Sequence, residues 1–87
     1  MEEETILQQL EQLVQTLAIE LRYEKGDFEG GLCRVNNHRV FIINATLPIH
    51  KKIKLLAGEL GSLDLNQVFI RPALRKIIEE GGNSSLI

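Results

Sequence analysis

The apolar residues of this chain fall into two spacings. Over residues 3 to about 17 they stand at Ile6, Leu7, Leu10, Leu13, Val14 and Leu17. Steps of three and four place them on one stripe of a helix, with Gln8, Gln9, Glu11, Gln12 and Gln15 on its other faces. Glu2, Glu3 and Glu4 complement the positive end of that helix's dipole. The spacing then changes. Ile19, Leu21 and Tyr23 alternate with Glu20, Arg22 and Glu24. Period two predicts a strand with one wet face, and Lys25-Gly26-Asp27 turns the chain at its end.

Residues 30–44 organise the rest. They read as a hairpin closed by Asn36-Asn37, residues that tolerate the positive φ of a type I′ turn. Such a turn pairs Val35 with His38, Arg34 with Arg39, Cys33 with Val40 and Leu32 with Phe41. One face then carries Cys33, Val35, His38, Val40 and Ile42. The other carries Leu32, Arg34, Arg39, Phe41 and Ile43. Gly30-Gly31 suggests a bulge, a positive φ or the close approach of another segment. Helical spacing resumes after Asn44. Thr46 is the expected N-cap and Pro48 suits the first turn. Ile49, Ile53, Leu56, Ala57 and Leu60 form the stripe, and Gly61 is the expected stop. Residues 67–70 could be a brief strand. Pro72 opens a last helix anchored by Leu74, Ile77 and Ile78.

The pattern predicts an α+β fold: an N-terminal helix, a three-stranded antiparallel sheet with a possible short fourth strand, and two further helices. It fills one small domain, residues 1–80, followed by a frayed tail at 81–87. Helices should cover one face of the sheet. The open face then shows either Arg22, Arg34 and Arg39, or Cys33, Val35 and Val40.

Composition adds bounds. A chain of 87 residues holds one thin core, burying about 60–65% of its unfolded surface. A partner or a second copy of the chain would add to that core. Hydrophobic content of 44% and charged content of 25% belong to a soluble globular domain. A net charge of −2 offers no bulk attraction to nucleic acid or to an anionic membrane. The aromatics are Tyr23, Phe28, Phe41 and Phe69, of which Phe41 and Phe69 are expected in the core. The acidic start does not suit a signal peptide, and no apolar run reaches the length of a membrane span. A reducing cytoplasm is the expected compartment.

Candidate chemistry is sparse. Arg34 opposite Arg39 costs a few tenths of a kcal/mol or more unless a carboxylate or anion lies between them. Asp27, Glu29 or Glu24 are the expected neutralisers within the chain. An anion, an acidic partner or nucleic acid is the alternative, with Lys51, Lys52 and Lys54 as further cations. The single cysteine, Cys33, excludes an intrachain disulfide. It is expected buried and inert; a thiol or redox role needs it exposed and activated. His38 and His50 are the only histidines. With no third ligand beside Cys33 and His38, no metal site and no cofactor is expected. No constellation of catalytic type is present. The reading is therefore a protein-interaction or self-associating module rather than an enzyme.

Two resemblances bear on this. Arg22-Tyr23-Glu24-Lys25-Gly26-Asp27-Phe28-Glu29-Gly30-Gly31-Leu32-Cys33-Arg34-Val35, with Leu63-Asp64-Leu65 and Pro72-Ala73-Leu74-Arg75, resembles short uncharacterised bacterial single-domain proteins. That resemblance implies a single domain and brings no activity. More loosely, Ala57-Gly58-Glu59-Leu60-Gly61-Ser62 after an Ile-Ile-Asn strand resembles the ImmA/IrrE-type zinc metallopeptidases. Those use two histidines one turn apart with a glutamate as base. Only Glu59 is kept here. Gly58 and Ser62 stand where the ligands would be, so the resemblance implies no peptidase activity.

Overall fold

The computed structural model describes residues 2–81; the tail expected at 81–87 therefore lies, beyond Gly81, outside the described residues. Six elements follow in order: α1 (Glu3–Thr16), β1 (Glu20–Glu24), β2 (Gly30–Val35), β3 (His38–Asn44), α2 (Ile49–Leu60) and α3 (Pro72–Glu79). The protein is an α+β fold of three helices and one three-stranded sheet.

The helical stripes bury the residues their spacing selects. Leu10, Leu13 and Val14 of α1 are buried, with Ile6, Leu7 and Leu17 packed at their margin. Glu3 and Glu4 occupy the first turn. The helix ends because Ala18 takes φ 61°, a left-handed conformation that an L side chain adopts at a cost. Ile53, Leu56, Ala57 and Leu60 of α2 are buried. Leu74 and Ile78 of α3 close the core, and Ile77 is half-buried. With Ile19, Phe41, Ile43 and Ile70 these side chains form one cluster.

The hairpin has the expected register. Asn36 and Asn37 both have positive φ, 51° and 64°, and Val35↔His38, Arg34↔Arg39, Cys33↔Val40 and Leu32↔Phe41 are paired. Gly30 takes φ 136°, and a Cβ there would stand 2.2 Å from the Ile42 carbonyl oxygen. Only glycine lets the backbone pass so close.

The sheet itself differs from the expectation. It is mixed, in the order β1-β3-β2, and β1 runs parallel to β3. Residues 25–29 carry the chain over the end of β3 instead of folding β2 back beside β1. Two strand spacings are about 10 Å, within reach of five residues at ~3.3 Å each. Asn44 fixes the crossing. Its side chain is 6% exposed. Its Nδ2 donates to the carbonyls of Gly26 (2.9 Å) and Phe28 (2.7 Å), and its Oδ1 accepts from Thr46 N–H (3.0 Å) and Oγ1 (2.8 Å). Its own N–H donates to the Glu29 carbonyl at 2.9 Å, and Ala45 N–H to Glu24 at 2.8 Å. Thr46 thus serves this knot and not the helix, whose N-cap position is Pro48.

Two further expectations fail. Residues 67–70 form no strand; Val68 N–H turns back to the Leu65 carbonyl. Phe69 lies outside the core and is 85% exposed, while its neighbour Ile70 is buried. A turn can send only one of two adjacent side chains inward.

Candidate functional site: the uncovered sheet face and its free edge

Alternation and register decide which side chains share a face. Leu21, Tyr23, Leu32, Phe41 and Ile43 point to the helices, with α1 on β1 and α2 on β2. The opposite face has no element over it among the described residues. It carries Glu20, Arg22 and Glu24 from β1, Val40 and Ile42 with His38 from β3, and Gly31, Cys33 and Val35 from β2. Arg22 therefore does not share a face with Arg34 and Arg39, because Leu21 and Tyr23 claim the helix side of β1.

This face is divided lengthwise. Along β1, Arg22 Nε donates to the Glu20 carboxylate and Nη1 stands 4.0 Å from Glu24. His38 Nε2 lies 3.5 Å from Glu20 Oε1. The Arg22 hydrogen bond holds the Glu20 carboxyl below its ordinary range and raises the Arg22 guanidinium. Along β2 and β3 the surface is apolar. Val40 is buried between its neighbours, Ile42 is half-buried, and Val35 is 51% exposed. Phe28, 40% exposed, stands at the far end. Together with Gly31, Cys33 and Ile42 it lines a depression.

Cys33 is exposed on this face, contrary to the buried position its surroundings suggested. The reason is the face: among the described residues no helix covers the side of β2 to which it points. Its Sγ is 3.8 Å from the Gly31 carbonyl, a weak contact.

The predicted cationic residues do not form one site. Arg39 points to the helix side and its Nη2 donates to the Leu17 carbonyl at 2.9 Å. Leu17 is the C-cap of α1, where a cation meets the negative end of the helix dipole. A carbonyl, and not Asp27, Glu29 or Glu24, is thus what Arg39 meets. Arg34 is exposed beside it. No carboxylate of the described residues lies within ion-pair distance of either guanidinium. The lysines sit at the other end of the sheet. Lys52 Nζ stands 5.3 Å from the centre of the Tyr23 ring. Tyr23 is paired with Ile43, four residues along β3 from Arg39, or about 13 Å at strand rise. Burial raises the Tyr23 phenol above its ordinary value, and its hydrogen bond to Glu11 adds to this. Lys51 and Lys54 face outward with His50, Leu55, Gly58, Glu59, Ser62 and Glu29 around a groove of about 760 Å³ beside β2.

No group of three or more potential metal ligands occurs among the described residues. No helix there is long and apolar enough to cross a membrane. No known protein family, curated protein or solved structure matches the chain. The class that fold and surface define is therefore structural: a two-layer α+β domain with one bare sheet face.

Proposed function

We propose that this protein is a non-catalytic interaction module that binds another protein through the bare side of its sheet. The observation that carries this reading is the apolar strip of Val35, Cys33 and Ile42, over which no helix of the described residues lies. Apolar surface left contiguous on a small domain is a common mark of a binding site. Its size suits a transient contact with a foreign partner better than a permanent homodimer. Three strands about 4.8 Å apart and about 20 Å long present on the order of 300 Å². A stable interface takes about 800 Å² from each partner. Phe69, on the other side of the molecule, is a separate exposed apolar contact. The single unpaired Cys33 suits a reducing cytoplasm.

The test is comparative capture from the native cytoplasm. Immobilised wild-type protein is expected to retain a partner that Val35→Asp, with the change on an exposed side chain, does not. Equal recovery by both forms refutes the reading. Sedimentation at high concentration checks self-association, and a mass of 9.8 kDa removes the homodimer alternative.

The exposure of Cys33 favours a second reading, a thiol role. Alkylation at neutral pH distinguishes it. A rate well above that of a free small thiol supports an activated sulfur; an equal or slower rate ends the idea.

A further inference from the structure

The two edges of the sheet are unlike. Beyond the last hairpin pair, Asn44 N–H donates to the Glu29 carbonyl at 2.9 Å, so Glu29 and Asn44 continue the register as a hydrogen-bonded pair. Bonded and non-bonded pairs alternate along an antiparallel ladder. Gly31, Cys33 and Val35 therefore bond to β3, whereas Gly30, Leu32 and Arg34 turn their N–H and C=O groups outward. Gly30 and Arg34 are exposed and Leu32 is half-buried. No hydrogen bond from the other described elements reaches these groups. β1 is defended differently. Glu20, Arg22 and Glu24 follow one another along it, and charge of this kind deters edge pairing. β2 reads Gly-Gly-Leu-Cys-Arg-Val and has one charge.

Above this edge lies the groove beside α2. Leu55 Cδ2 comes within 3.0 Å of the Cβ position of Gly30, so α2 sits over the start of β2. One turn on, a Cβ at Gly58 would meet nothing within 4 Å. A mid-helix glycine costs about 1 kcal/mol against alanine, and here no packing contact requires it. It leaves the groove wide.

We propose that the outer edge of β2 takes up an extended segment of a partner protein as a fourth strand, with an acidic side chain of that segment set against Arg34. This rests on the interaction-module reading and names its partner class. The backbone groups of Gly30, Leu32 and Arg34 supply the ladder, and alternate side chains of the added strand fall into the groove by Leu55 or onto the bare face by Cys33 and Val35. Charge selects the acid. Arg34 stands opposite Arg39, Arg39 is taken by Leu17, and an acid beside Arg34 relieves the like-charge pair. At the other end Lys51 and Lys54 share the groove with the acids Glu29 and Glu59. A second copy of this chain supplies no acid at this place: antiparallel pairing of β2 with β2 centred on Leu32 sets Arg34 against Gly30.

The probe is a random peptide library displayed on phage and selected against the intact protein. Enriched peptides are expected to alternate apolar and polar residues and to carry an acid. Binding should shift the amide resonances of Gly30, Leu32 and Arg34, and their hydrogen exchange, fast beside that of Cys33 and Val35 in the free protein, should slow. Arg34→Glu should weaken the selected peptides about tenfold or more, and selection against that variant should enrich Lys or Arg in place of the acid. Leu32→Pro removes one outward N–H without touching the β3 ladder and should abolish binding. Arg34→Glu, on an exposed side chain, keeps the test decisive if Leu32→Pro fails to fold. No enrichment, equal affinity for Arg34→Glu, or a wild-type dimer in sedimentation that Leu32→Pro dissociates would overturn the proposal. A native partner lost by Val35→Asp but kept by Arg34→Glu and Leu32→Pro would leave the interaction module standing and remove the edge site.

Discussion

Asn44 shows how much one side chain can decide. It is the only polar residue buried in the described structure, and every hydrogen-bonding position of its amide is used. Its partners, Gly26, Phe28 and Thr46, belong to the two loops that lead into β2 and α2. Asn44→Ala leaves two carbonyls without their donor, at about 1–3 kcal/mol for a buried unsatisfied group. Denaturant unfolding is expected to show a loss of about 2–3 kcal/mol, with faster hydrogen exchange beside the crossing. The Glu20–Arg22 pair makes a different prediction. Its hydrogen bond favours the ionised carboxylate, so Glu20 should titrate below the ordinary carboxylate range by NMR. A lowered folded-state pKa means stabilisation present above the unfolded value and lost as pH falls through the folded one. Arg22→Gln should return the midpoint to the ordinary range. Both side chains are solvent-exposed, so the midpoint, more than the stability, is what will move.

At the scale of elements, two residues sit where the other would serve the fold better. Ala18 holds φ 61° just after α1, a position that favours glycine. Gly58 lies inside α2 with open space where a Cβ would be, a position that favours alanine. Ala18→Gly and Gly58→Ala are each expected to stabilise by about 0.5–1 kcal/mol, read as a higher midpoint of thermal unfolding. They lie on different elements, so the double variant should be nearly additive. The hairpin is the element whose local chemistry was most legible. Asn36-Asn37 prescribed the turn, the turn prescribed the register, and the opposition of Arg34 to Arg39 followed. What Arg39 does with its charge was not legible, because Leu17 is 22 residues away along the chain and its carbonyl leaves no mark on the sequence pattern.

On the scale of the molecule, the fold is a thin slab of 33 × 30 × 18 Å. One sheet face meets the helices and the other meets solvent; Phe41 lies on the covered face and Phe69 in a turn outside the core, so two aromatic residues of similar appeal have opposite fates. Phe41, fully buried beneath the helices, should cost about 3–5 kcal/mol when changed to Ala. Phe69→Ser should change stability by less than about 0.5 kcal/mol, since little contact is lost. Comparing the two unfolding curves tests the assignment of both. The cations are likewise distributed by the whole. Lys52 turns to Tyr23, Lys51 and Lys54 turn to the groove, and Arg39 caps a helix. A titration with mixed oligonucleotides at low salt is accordingly expected to show no salt-dependent shift.

By itself the sequence determined what most stretches of backbone would do, residues 67–70 apart. Steps of three and four selected the helical stripes around Leu10, Leu56 and Leu74. Alternation selected the strands and assigned their residues to two sides, and Asn36-Asn37 tied two strands together. These are local matters, settled by a side chain's position on its own helix or strand. Tertiary structure decided the rest. Period two is the same in a parallel and an antiparallel strand, so nothing in residues 20–24 said that β1 would lie beside β3. That depended on a loop crossing the end of β3 and on Asn44 holding it there. The same crossing left β2 as an outer strand. The helices then covered the Phe41 side, leaving Cys33 and Val35 in the open and the outward groups of Gly30, Leu32 and Arg34 without partners among the described residues.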